Sequence, residues 1–178
     1  MAKPLPFGAA LSKAGEPAPA QAIAMTYDWL NRQTRWSDGT RTESTVFAGA
    51  DWKRASTTVT MGANAAAAPP AVTKYLYDGD NVLADYDATN ALTAFYVTPG
   101  LDQNLSITDA SGQTAYYTHD GLGSVRLLTS ANGAILNRYD YTAFGEPFAP
   151  NTSATIPNRY TYTAREQSPL SAHGAPMY

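Results

Sequence analysis

Two imidazoles, His119 and His173, are the only histidines in the chain, and there is no cysteine. Zinc needs several Cys or His ligands brought together, so these two residues, far apart in sequence, point away from a metal centre. His119 falls at a turn between strand-like stretches, where surface placement is the ordinary reading, and no Ser–His–Asp arrangement can be assembled around Ser124. The acidic turn Asp78-Gly79-Asp80-Asn81 and the series Asp85, Asp87, Thr89 invite a calcium reading. That reading fails because Asn90 stands where the calcium loop needs Gly and Tyr96 where it needs Glu. Gly121-Leu122-Gly123-Ser124 has the glycines of a phosphate loop but no following Lys and no helix pattern. These observations predict no catalytic residues, no cofactor, no metal and no enzymatic activity.

The tyrosines are the remaining chemistry. Tyr75, Tyr77, Tyr86, Tyr139 and Tyr141 recur on strand-like stretches, where neighbouring strands stack aromatic rings into ladders. Such a ladder stiffens a sheet, and an exposed one beside Asp, Asn and Arg suits carbohydrate.

The elements that carry these residues are short and regularly spaced. Gly79, Gly100, Gly121 and Gly145 recur at spacings of 21, 21 and 24, and turns around Asp87, Asp109 and Ser130 fall between them. Two turns per period mean two strands per repeat. Gly133 belongs to the second series of turns, and each of the five glycines is expected to supply the positive φ of a hairpin. Strands are predicted near 73–78, 81–87, 92–98, 103–108, 113–119, 124–130, 134–142 and 158–164. In the first block they fall around Arg32–Trp36, Ser44–Phe47 and Ala55–Thr60. Loops of two to five residues allow only hairpins, so the prediction is an all-β antiparallel meander forming a twisted or curled ribbon.

Composition agrees: 12 Tyr against 5 Phe, and only 15% charged residues among 178. The net charge of −3 has no basic block behind it, which argues against a grip on nucleic acid. No run approaches the ~20 apolar residues of a membrane span. The chain divides into an Ala/Pro-rich arm (1–24), a block of degenerate repeats (25–61) and an Ala/Pro linker or loop (62–72). A clearer repeat block (73–166) and an irregular tail (167–178) follow. The N-terminal stretch is broken by Lys13, Gly15, Glu16, Pro17 and Pro19, unlike a signal peptide.

Three stretches carry a resemblance: the run from Tyr75 to Asp87, the run from His119 to Thr129, and Asn137-Arg-Tyr-Asp-Tyr-Thr-Ala-Phe-Gly-Glu-Pro147. In this order they resemble the RHS/YD-repeat family, specifically its repeat-associated core, over about Lys74 to Glu166. Tyr27-Asp-Trp-Leu-Asn-Arg32 extends the likeness more weakly, with Asn31 in place of the usual Gly, and Ala164 likewise replaces a Gly. The resemblance implies a ribbon of antiparallel strands coiled into a hollow shell, enclosing a toxin in bacterial members and forming an extracellular barrel in teneurins. The aspartates that toxin-carrying members use for self-cleavage have no matching positions.

A ribbon with too few repeats to close leaves edges uncovered. The expectation is a non-enzymatic structural protein at the cell surface or outside it, self-associating into a homo-oligomer or filament. Two alternatives stand beside it: the closing segment of a toxin-encapsulating shell, completed by other RHS-type chains, and a carbohydrate-binding module.

Overall fold

The computed structural model describes residues 23–62 and 69–167. Most of the arm, the centre of the linker and nearly all of the tail, with His173, lie outside the described residues. Twelve strands pair antiparallel in strict sequence order, giving one open meander sheet. They are β1 (Ala24–Tyr27), β2 (Gln33–Ser37), β3 (Arg41–Phe47), β4 (Arg54–Met61), β5 (Ala71–Asp78) and β6 (Asn81–Tyr86). Then come β7 (Leu92–Val97), β8 (Ser106–Asp109), β9 (Thr114–His119), β10 (Val125–Ser130), β11 (Ile135–Arg138) and β12 (Ser153–Ala154). The all-β ribbon read from the spacing is the observed fold. Because β4 pairs with β5, the sheet continues across the Ala/Pro stretch.

The hairpins share one turn. Asp87 Oδ1 accepts the Thr89 N–H at 2.8 Å and the Ala91 N–H at 3.0 Å, and Asn90 takes a left-handed φ of 67°. Asp109 repeats this with Ser111, Gln113 and Gly112; Asp120 repeats it with Leu122, Ser124 and Gly123. Asp28 does the same for Leu30 and Arg32, with Asn31 left-handed. The carboxylate replaces backbone partners that a tight turn leaves unmet.

That phase corrects the reading of two glycines. Gly79, Gly133 and Gly145 have positive φ, but the left-handed residue of the third turn is Gly123 rather than Gly121. Near Gly100 it is Asp102, at φ 57°. Counting three residues on from the capping side chain gives the left-handed site; counting glycines does not.

The two predicted C-terminal strands also differ. The stretch 134–142 stops as a strand at Arg138, and 158–164 contributes only an isolated bridge between Tyr160 and Glu166. Asn158 accounts for the second: its side chain donates to the Tyr160 carbonyl at 2.6 Å and accepts the Tyr160 N–H at 3.2 Å, taking the place of a ladder partner. Thr163 and Ala164 then turn the chain with φ of 51° and 55°. Beyond β12, residues 155–167 therefore form a strap folded back over the sheet. Beneath it lies the core, with Tyr96, Ile107, Ala115, Tyr117, Val125 and Leu128 buried together.

Candidate functional site: a polar cluster under the strap

The strap crosses strands far from it in sequence and is fastened at each crossing. Val125 N–H donates to the Thr161 carbonyl at 2.9 Å, and Asn104 Nδ2 donates to the Ala164 carbonyl at 3.2 Å. Ser124, fully buried, accepts the Thr163 N–H on its Oγ at 3.0 Å. Tyr117 Oη donates to Asn158 Oδ1 at 2.8 Å. Ser124 is thus a structural tie between the turn and the strap.

Arg159 is the centre of the cluster. Its guanidinium meets Asp85 at 2.9 Å and lies over the rings of Tyr75, Tyr96 and Tyr160, 5.0–5.2 Å from each centroid. Tyr96 Oη donates a second bond to Asp85, at 2.8 Å. Burial pushes the Asp85 carboxyl above its ordinary value, while Arg159 and the Tyr96 hydroxyl pull it back. Burial also raises the Tyr96 and Tyr160 phenols, so both stay protonated; Tyr96 donates to Asp85, while Tyr160 Oη accepts from Arg159 at 3.4 Å. Arg54, bonded to Glu166, also lies over Tyr75, its guanidinium 4.6 Å from the ring centroid. A cation surrounded by π faces and one carboxylate is well compensated out of water.

The five tyrosines named from the sequence do not form one exposed ladder. Tyr75 is covered by two guanidiniums, and Tyr139 is buried with its Oη accepting from Asn137 at 2.7 Å and Asn158 at 3.3 Å. Tyr141 packs against the core and donates to the Val125 carbonyl at 2.9 Å, and Tyr77 lies beside Tyr75 with centroids 6.5 Å apart. Tyr86, half-buried, is not part of that group. The five tyrosines therefore do not line up as one continuous exposed row.

His119 is stacked on Tyr117, and burial lowers its pKa against the opposing pull of Asp120. Asp80 is exposed, 3.6 Å from Lys53. Among the described residues no group of three His, Cys, Asp or Glu is placed to hold a metal ion. Sequence reasoning missed Asp85 as the partner of Arg159 and Glu166 as the partner of Arg54. The available signal was that Asn137-Arg138-Tyr139 recurs as Asn158-Arg159-Tyr160 at an offset of 21.

The fold recurs in known proteins. The fold matches a crystal structure of TcdB2-TccC3 without its hypervariable C-terminal region, with a TM-score of 0.62, 15% identity, and coverage of 84% of this chain and 8% of that one. The Photorhabdus luminescens Tc holotoxin pore matches with a TM-score of 0.55 at 15% identity, again over 84% and 8%. The likeness to these structures is one of fold. In sequence, the chain is 37% identical over 94 residues to the tRNA3(Ser)-specific nuclease WapA of Bacillus spizizenii, covering 51% of this chain and 4% of that protein. The tRNA nuclease WapA of Bacillus subtilis is 32% identical over the same length and shares. No protein-family profile matches. The chain spans about 4% of the length of these curated relatives.

These relatives overturn two expectations. They are named tRNA nucleases, so the shared stretch occurs within enzymes, which conflicts with a protein outside enzymology. The same names conflict with the self-assembling fibre as the account of what this ribbon is for.

Proposed function

We propose that this chain is a wall segment of an RHS-type shell in a nuclease toxin that acts on RNA. One observation carries the reading. The half of the chain shared with the WapA nucleases includes part of an open sheet that cannot enclose a volume by itself. In this role the strap stiffens the wall: it converts a two-faced, twisted sheet into a layer with one face sealed by buried residues. The enzymatic activity belongs to the whole toxin.

A chimera tests this. Residues 73–166 replace the matching stretch of Bacillus spizizenii WapA, and the full-length chimera is compared with its parent for resistance to limited proteolysis and for tRNA cleavage. Parent-like protease resistance and cleavage are expected. A chimera that folds, by circular dichroism, yet opens to protease throughout its length overturns the wall reading.

A further inference from the structure

An open cleft of about 390 Å³ lies where the β3–β4 turn, the β5–β6 hairpin, the β7–β8 loop and the strap meet. Trp52 and Leu101 line it from two different turns, and they are 69% and 67% exposed. Tyr77, near the end of β5, and Asn81, at the start of β6, line it as well. Two large apolar side chains are thus held in water beside polar groups, an arrangement typical of a binding surface.

Charge does not select the occupant, because each charged group at the cleft already has an ionic partner. Lys53 lies 3.6 Å from Asp51 and from Asp80, Arg54 bonds to Glu166, and Asp102 meets Arg165 at 3.0 Å. What the cleft has unspent is hydrogen-bond donors beside aromatic surface. Tyr77 Oη accepts the Arg54 N–H at 3.1 Å, which leaves its own proton to give. The Trp52 indole N–H and the Asn81 carboxamide have no protein partner among the described residues.

A polypeptide in the polyproline II conformation is the complement of such a surface. It makes no internal hydrogen bonds, so its carbonyls are free to accept, and its rings pack against exposed aromatic faces. Its stiffness also lowers the ordering cost of binding. An added β-strand would need a bare sheet edge, whereas β3 to β8 are each paired on both sides. The chain itself carries segments of this composition: four prolines fall between Pro4 and Pro19, and two more at Pro69-Pro70. We propose that the Trp52–Leu101 cleft binds a proline-rich polypeptide segment. Its rings lie against Trp52 and Leu101, and its carbonyls accept from Trp52, Tyr77 and Asn81. This binding does not depend on the shell reading above.

Calorimetry of the purified full chain with a proline decamer tests this, with an alternating glycine–serine decamer as the control. The proline peptide is expected to bind, and its affinity to change less than about threefold between low salt and about 0.5 M salt, since the cleft's charges are spent on one another. W52A and L101S, both at exposed positions, should each weaken binding at least about tenfold with unchanged circular dichroism. W52F keeps a ring but loses the N–H, and should fall between. The same titration in P4A/P6A/P17A/P19A keeps the chain's own prolines from masking the cleft. Absence of binding in both backgrounds, equal binding of the glycine–serine peptide, or unchanged affinity in folded W52A and L101S overturns the proposal. A tenfold loss in salt overturns it in favour of a charged partner, and binding of cellohexaose in place of the proline peptide overturns it in favour of a carbohydrate.

Discussion

Gly121 and Gly133 look alike in the sequence and differ in the backbone. Gly133 has φ 84°, a conformation in which a β-branched side chain is strained, whereas Gly121 is outside that region and an added Cβ there meets nothing within 4 Å. Gly133→Val is expected to cost about 1–2 kcal/mol and Gly121→Val only a fraction of that. Urea denaturation of the two variants checks the ordering, and equal losses would mean the turn phase is wrong. Gly145 is more restricted still, because a Cβ would lie 2.8 Å from the Tyr162 ring as well as at φ 85°. The need for Gly at single positions was thus visible as a type, but which glycine bore it depended on the capping Asp, Ser or Thr three residues earlier.

At the scale of the element, the Asp-capped turns make stability respond to acid. Hydrogen bonds from the Thr89 hydroxyl and the Ala91 N–H hold the Asp87 carboxyl below its ordinary 3.8, and the Ser111 hydroxyl does the same for Asp109. A carboxyl whose pKa is lower in the folded state contributes stability above the unfolded value and loses it as pH falls through the folded one. The ribbon should therefore weaken below about pH 3.8, and Asp87→Asn with Asp109→Asn should flatten that acid limb in thermal melts taken from pH 6 to pH 2. An unchanged limb would assign acid sensitivity to other carboxylates. These turns, and hence most strand boundaries, were legible because Asp, Asn and Gly punctuate the chain. The faces were less so. Simple alternation pairs Val125 with Leu127, but the register shifts between them and the buried pair is Val125 with Leu128. A similar shift between Leu76 and Tyr77 sets Val82 opposite Tyr77 and Ala84 opposite Leu76. An extra residue in one strand moves every later side chain to the other face, and no local pattern announces it.

For the whole molecule, the strap decides what behaves as one unit. It was the least legible part, since its bonds come from Asn158, Thr161 and Ala164 reaching strands tens of residues away, and its own sequence reads as a strand. Its fastening concentrates on Asp85, the carboxylate that meets both Arg159 and Tyr96. Asp85→Ala leaves Arg159 covered but uncompensated, and should cost about 3 kcal/mol, with Arg159→Met in the same chain recovering part of the loss. Position matters as much as size. Strands β6 to β10 lie under the strap, whereas β1 to β3 rely on Trp36 and on Arg32, whose side chain bonds to Asp28 and the Gly49 carbonyl. Amide hydrogen exchange of Asp85→Ala should then quicken at Tyr96, Tyr117, Val125 and Tyr139 while the amides of β2 and β3 keep their wild-type protection. Uniform acceleration across all strands would mean that the sheet and strap open together, and that the strap is no separate layer but part of a single cooperative core.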